Sequence, residues 1–305
     1  MVNNNLLDQI GKTSLVKLDS FSPVSDVSIY GKLELLNPTG SIKDRIALKM
    51  VEGAEMRGEL TAGTKIIEAT SGNTGISLGM VCALKGYRCN LFMSESKSLE
   101  RKYMLRYWGC ELTLTSSDDP DSSIWAAREM AERGSDGIFY INQNENQDNV
   151  LAHLEGTGRE IVDDLDGDVN AVVAGFGTGG TLMGIGEALR EAGTGGKIVS
   201  VEPSSIDSRI EGIKNSTEGY MPTIFDAGLV DEILRIEDHD AIATSKMLAR
   251  HEGIFAGISS GATVWAAVQL ARKMKRGNIV AIIADRGDRY YSTSLFDEAR
   301  REANP

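Results

Sequence analysis

The chain has 305 residues, 41% of them hydrophobic and 25% charged, with 33 glycines and a formal net charge of −12. That length exceeds what one hydrophobic core easily sustains, so two lobes and a cleft are expected, and the composition excludes a disordered or fibrous chain. The acidic balance without a basic stripe excludes nucleic acid as a partner. No apolar run nears the roughly 20 residues of a membrane span, and Met1 to Asp8 lacks the regions of a signal peptide, so the expected compartment is the cytoplasm.

In chain order, "SIYGKLELL" reads as extended, and the segment after Lys43 places Ile46, Ala47, Met50, Val51 and Ala54 on one helical stripe. "TKIIEAT" is a short buried strand, "GISLGMVCALKG" a helix closed by Gly86, "RCNLFMS" a strand, "SLERKYMLRYWG" a helix closed by Gly109, and "ELTLTS" a strand. After the polar turn "SSDDPDSS" come a helix through Trp125 to Glu132, the strand "GIFYIN" and a helix from about Asn149 to Asp164. The second half continues with the strand "NAVVAG", a helix after Gly180, the strand "KIVSVEP", helices around Thr244 and Val264, and the strand "NIVAIIA". Alternation of apolar strands with helices predicts an α/β protein, doubly wound, with mostly parallel sheets covered on both faces. The polar run "NQNENQDN" near residue 146 is the expected boundary between lobes. Cys82, Cys89 and Cys110 form no C-x-x-C pair and have no metal-type spacing, so they are expected buried and reduced.

In such folds the ligand lies at the carboxyl ends of the strands. "TSGNTG", Thr70 to Gly75, sets hydroxyls, an amide and two glycines at a helix start, which suits a carboxylate. "GFGTGGT", Gly175 to Thr181, exposes backbone N–H groups beside two hydroxyls, which suits a phosphate. "GISSGA" and "ADRGDRYYST" follow later strands or open later helices. Taken singly, each turn also reads as an ordinary helix cap. The spacing of Gly175, Gly177 and Gly180, with Glu202 ending the next strand, also approaches a dinucleotide fingerprint, so a nicotinamide-dependent oxidoreductase is a competing reading. Against it, at least four strand-helix units precede the motif, and it leaves Lys43 in "NPTGSIKDR" unexplained.

Taken in order, "NPTGSIKDR", "TSGNTG", "GTGGT" and "GISSGA" resemble the cysteine synthase family of pyridoxal-phosphate enzymes, which shares its fold with the tryptophan synthase β chain. The likeness runs from "GKTSLVKL" at Gly11 to "DRGDRYYST" at Thr293, and the closing motifs are most similar to the cysteine synthase B and O-phosphoserine-using branch. The resemblance implies the two-lobed fold type II. Its smaller mobile lobe would span 38–146, with Lys43 and the substrate loop; the larger, 1–37 and 147–305, would carry the phosphate loop and Ser259. It implies that Lys43 forms the Schiff base with pyridoxal 5'-phosphate, a role chemistry reserves for a lysine amine of lowered pKa. Asn73 would meet the ring hydroxyl, Gly177, Thr178, Gly179, Gly180 and Thr181 the phosphate, and Ser259 the pyridine nitrogen. Thr70, Ser71, Asn73, Thr74 and Gln143 would hold the substrate carboxylate.

A serine rather than a carboxylate at the ring nitrogen disfavours long-lived carbanions and favours β-replacement on an O-activated serine through an aminoacrylate, with sulfide or thiosulfate giving L-cysteine or S-sulfocysteine. Lys214 in "EGIKNSTEGYMP" would supply a counter-charge for a phosphate or thiosulfate, the alternative being a solvated loop lysine. Asn144 departs from the family pattern and would make a pocket wall polar, which keeps cystathionine, lanthionine and 2,3-diaminopropionate synthases as alternatives. Asp285, after the last strand, is expected to cap a helix or pair with a neighbouring arginine, the alternative being an approach to the ring-nitrogen side of the cofactor, and His153 is expected to start a helix or pack. The resemblance further implies a homodimer and a possible serine acetyltransferase partner, while a catalytically silent binding protein is a third class of reading. No metal site is expected.

Overall fold

The computed structural model describes residues 5–303 except 71, 98, 120, 135–136 and 218. In chain order its main elements are β1 (Leu15–Lys17), β2 (Val27–Lys32), α1 (Lys43–Met56), β3 (Lys65–Ala69), α2 (Asn73–Lys85), β4 (Arg88–Ser94) and α3 (Leu99–Tyr107). There follow β5 (Glu111–Thr115), α4 (Ser122–Glu132), β6 (Ile138–Tyr140), α5 (Gln147–Ala152), α6 (Arg159–Asp164), β7 (Ala171–Gly175), α7 (Gly180–Glu191) and β8 (Lys197–Pro203). The chain closes with β9 (Glu232–Ile236), α8 (Asp238–Glu252), α9 (Ile258–Ala271), β10 (Gly277–Ile282) and α10 (Asp297–Ala303).

Two sheets result. A six-stranded sheet runs β1-β2-β10-β7-β8-β9, and a four-stranded sheet runs β5-β4-β3-β6. Every pairing is parallel except that of β1 with β2. The apolar strands explain this: Val172 and Val173 of β7 and Val280 and Ala281 of β10 are buried on alternate faces, so helices must cover both sides. One core cluster packs α8 and α9 against the six-stranded sheet, and a second packs α7 against its other face. A third joins α1 and α2 to the four-stranded sheet, whose opposite face meets α4. Cys82, Cys89 and Cys110 are free and buried, as expected.

The structure adds β1 and α10, which the sequence reading did not name, and departs from it further in three places. β9 went unrecognised because Glu232 and Arg235, on opposite faces, leave no long apolar run at an edge position. "SIYGKLELL" is a strand only to Lys32, after which Glu34–Leu36 form a 3-10 turn. The helix expected from Asn149 to Asp164 begins at Gln147 and widens into a π turn at His153–Gly158 before α6. The π turn lies against α7, where a Cβ on Gly184 would fall 2.3 Å from the Val150 carbonyl and one on Gly158 2.5 Å from Ala188 Cβ, so the two helices approach along a glycine seam. The polar run before it is largely inside the fold: Gln143, Asn144, Asp148 and Asn149 are all buried.

Candidate active site

A cavity of about 600 Å³ opens at the carboxyl end of the six-stranded sheet, walled by Ala174 and Gly175 from β7 and Ile282 from β10. Lys43, Asn73, Gly177, Thr178, Gly179, Thr181 and Ser259 line it. Those residues sit at the starts of α1, α2, α7 and α9. Ile42, Gly72, Gly179 and Gly257 occupy the capping positions, and none of their side chains caps its helix. Side chains of the turns cap only in part: Ser41 Oγ accepts from Lys43 N at 3.3 Å and Thr178 Oγ1 from Gly180 N at 3.4 Å, and the four positive dipole ends converge on one space. In an acidic chain this is a local site for anionic groups.

The Gly175–Thr181 wall is shaped by the absence of side chains. A Cβ at Gly175 would lie 2.3 Å from Ile213 Cγ2, and one at Gly177 would lie 2.9 Å from the Gly212 carbonyl oxygen. Gly179 adopts φ +86, and a Cβ there would meet Phe225 at 2.8 Å. At Gly180, a Cβ would come within 2.0 Å of Asn149 Oδ1. Asn149 is pinned, since its Nδ2 donates to the Gln143 carbonyl at 2.8 Å and to Thr178 Oγ1 at 3.0 Å. Thr181 Oγ1 lies 3.2 Å from His153 Nε2, whose ring burial holds neutral and whose Nδ1 meets Thr157 Oγ1 at 2.9 Å. His153 thus packs the π turn against the loop, as expected.

The lysine wall is built from charge. Desolvation in the cleft lowers the Lys43 amine from 10.5 to about 8, opposed by the nearby Asp285 carboxylate. Beside it, Asp44 is fully buried and gathers the preceding turn, accepting from Thr39 N at 2.7 Å and Ser77 Oγ at 2.5 Å. One residue further, Arg45 binds Glu34 through Nε at 2.7 Å and Nη2 at 2.8 Å, and Glu160 through both Nη1 and Nη2 at 2.7 Å. Lys32 adds a contact to Glu160 at 3.0 Å, and Asn37 Nδ2 donates to Glu34 Oε2 at 2.8 Å. Arg45 and Lys32 pull the Glu160 carboxyl down to about 2 against the opposing effect of burial. The sequence reading missed this network because Glu160 lies more than a hundred positions from Arg45 and Lys32, and the members carry no motif.

The expected carboxylate donors are placed differently from one another. Thr74 Oγ1 donates to Gln143 Oε1 at 2.7 Å, and Thr70 Oγ1 accepts from Gly72 N at 3.2 Å, while neither threonine nor Gln143 lines the cavity. Ser71 lies outside the described residues. Beneath the loop, buried Glu68 accepts from Ala69 N at 2.9 Å and Gln143 N at 3.0 Å, and desolvation lifts its carboxyl to about 8. An acid inside the apolar strand "TKIIEAT" was the available signal for it.

Four further expectations differ from the structure. Asp285 makes neither a cap nor an arginine ion pair among the described residues; it accepts from Asn73 Nδ2 at 2.7 Å and from the Tyr290 hydroxyl at 2.6 Å. Glu202, the acid of the dinucleotide reading, is buried and takes both the backbone N–H and the hydroxyl of Ser216, at 3.1 and 2.9 Å. Lys214 does not line the cavity: its ammonium donates to the Tyr220 carbonyl at 2.5 Å and lies 5.6 Å from the Phe176 ring centroid. Glu211, from the same loop, does line it and pairs with Arg101 of α3. Asn144 is buried away from the lining.

The donor set fits pyridoxal phosphate. A glycine-rich helix start with two threonine hydroxyls matches a phosphate, a lysine of lowered pKa matches an aldehyde, and Ser259, which lines the cavity, offers a hydroxyl that matches a ring nitrogen.

Comparison with known proteins agrees. A family model described as pyridoxal-phosphate dependent enzyme matches residues 6–285. Cysteine synthase B of Salmonella typhimurium is 45% identical, covering 97% of each chain. Among solved structures, cysteine synthase from Entamoeba histolytica superposes with a TM-score of 0.91 at 36% identity, covering 97% of this chain and 91% of that one. An O-ureido-L-serine synthase superposes with the same TM-score at 38% identity, covering 98% and 96%.

Proposed function

The chain belongs to the family of pyridoxal-phosphate dependent enzymes and is an enzyme of the cysteine synthase type, performing β-replacement with that cofactor, and from this premise we propose that it converts O-acetylserine and sulfide to L-cysteine and acetate. The observation that carries the choice of ester is the charge lining the cavity: among the described residues it consists of Lys43, Asp285 and Glu211, with no second cation. A phosphate leaving group would enter as a dianion beside the Asp285 carboxylate and the Glu211–Arg101 pair, with Lys214 committed elsewhere. An acetyl ester needs no counter-charge.

The start of α7, with Thr178 and Thr181, would hold the cofactor phosphate, Ser259 would meet the ring nitrogen, and Lys43 Nζ would be the amine that attaches to the aldehyde. When bound, pyridoxal phosphate supplies a carbonyl carbon for amines and a conjugated ring that accepts electron density from the substrate's Cα. The uncapped start of α2 at Asn73 draws the substrate carboxylate and so fixes Cα. Lys43 Nζ, neutral above about 8, takes the Cα proton and later returns it. Acetate leaves Cβ, and the carbon–sulfur bond forms at the same atom. We further propose that 38–146 moves as a smaller lobe on substrate binding, since its substrate loop is joined to the phosphate loop through the Gln143 carbonyl and Asn149 amide.

The test offers O-acetylserine, O-phosphoserine and serine in turn to protein loaded with pyridoxal phosphate, each with sulfide or thiosulfate, and measures the new amino acid by mass. Cysteine from O-acetylserine and sulfide at the highest kcat/KM supports the reading. A preference for O-phosphoserine, or product only with another nucleophile, would overturn it.

A further inference from the structure

Asp285 ends the segment after β10 with 1% of its surface exposed, yet it lines the cavity. Its backbone pairs with Ser41 in an isolated bridge, and the adjacent Ala284 carbonyl accepts Ile42 N at 2.8 Å, so the residue is built into the turn that presents Lys43. Its two carboxylate oxygens are used unequally. Oδ2 accepts from Asn73 and Tyr290, while Oδ1 is buried with no hydrogen-bond partner. Gly257 makes room for Oδ1: a Cβ there would lie 2.2 Å away.

The Asn73 amide is held at both ends. Arg289 donates to Asn73 Oδ1, and Asn73 Nδ2 donates to Asp285, so a guanidinium on one side and a carboxylate on the other allow one amide orientation only. One N–H of Nδ2 then has no protein acceptor among the described residues, on the cavity side where Asn73 lies.

We propose that Asp285 is a positioning residue for the reaction: it fixes the Asn73 amide with one N–H free for the ligand, and its unpaired oxygen serves as the counter-charge that governs when Lys43 loses its proton. The proposal rests on Lys43 being the cofactor lysine. Removing a buried anion near an amine favours the neutral amine, so without Asp285 the lysine would deprotonate at lower pH. The groups facing Asp285 are Lys43 from α1, Asn73 from α2, Arg101 from α3, and Arg289 and Tyr290 from the turn after β10, with Glu211 beyond Tyr290. Lys43 is the one of these whose burial draws its proton loss toward neutral pH, to about 8. A carboxylate is costly to bury with one oxygen unpaired, which itself points to a charged partner on the cavity side.

The test is the pH dependence with which the cofactor-free full chain takes up pyridoxal phosphate on Lys43, read by visible absorbance, with Lys43→Ala as baseline. Asp285→Asn is expected to lower the pH midpoint by about one unit. Tyr290→Phe, which strips a donor from the carboxylate and leaves its charge less neutralised, is expected to move the midpoint slightly upward. It decides the matter alone if Asp285→Asn fails to fold. Opposite shifts support the inference. An unchanged midpoint in Asp285→Asn of wild-type melting temperature, or shifts of both variants in one direction, would overturn it while leaving Lys43 as the cofactor lysine. A wild type that binds no cofactor at any pH would overturn the active-site reading first and this inference with it.

Discussion

The two walls of the cavity are made rigid by opposite means. The Gly175–Thr181 wall works by subtraction: its glycines let Ile213, the Gly212 carbonyl, Phe225 and Asn149 press directly against backbone, leaving N–H groups free at the start of α7. The Lys43 wall works by addition, with Asp44, Arg45, Glu34, Glu160 and Lys32 clustered at and behind the first turn of α1. A glycine loop can meet an anion only through backbone and therefore needs space. A reactive lysine needs a desolvated, fixed helix start, which buried ion pairs supply through geometry more than through net stability. The difference also sets how each wall should fail.

The largest effect is expected on the charged wall. Arg45→Ala leaves Glu34, fully buried, with its main cationic partner gone, and should destabilise the fold by about 3–5 kcal/mol in urea unfolding. A cost under about 1 kcal/mol would mean that the network is solvated in solution and would remove the contrast.

Glu160→Gln comes next, with a pH signature. Its carboxyl is held near 2 against an ordinary 4.5, so the ionised form is favoured in the fold and its contribution is complete above pH 4.5. That contribution is lost as pH falls through about 2, so the gap between variant and wild type should be full at pH 7 and shrink steadily below 4.5. A gap independent of pH would assign the effect to packing instead.

On the wall made by space, Gly180→Ala should cost about 1–3 kcal/mol by overpacking against the pinned Asn149, and should weaken pyridoxal phosphate binding more than it lowers the melting temperature. Equal loss in both would make the glycine a packing residue only. The smallest effect is expected outside both walls: Lys214→Ala should change kcat/KM for O-acetylserine and O-phosphoserine by a similar factor, less than about threefold. A selective loss with the phosphate ester would restore the sequence-based expectation for this lysine.

The same contrast explains what could be read in advance. Glycine loops and apolar strands are local signals, so the order of elements, the doubly wound fold and the residues of the Gly175–Thr181 loop stand out in the sequence. Ion networks are made in three dimensions: Glu34 follows β2, Arg45 sits in α1 and Glu160 in α6, and nothing in their spacing announces the contact. Lys214 and Glu211 show the limit most plainly. Both lie in one short polar loop, and only the fold determines that the acid lines the cavity while the lysine turns to a carbonyl and a ring. The helix starts at Thr70–Gly75 and Gly175–Thr181 are legible as anion sites in the sequence, but their convergence on one cavity with the starts of α1 and α9 is a product of the fold.

The central claim is that Lys43 is the residue on which the cofactor is carried. Borohydride reduction of protein loaded with pyridoxal phosphate, followed by digestion and mass mapping, tests it directly. The account predicts one phosphopyridoxyl group per chain, on the peptide containing Lys43, and none in Lys43→Ala. The same group found stoichiometrically on any other lysine, or no stable attachment at all, would contradict it.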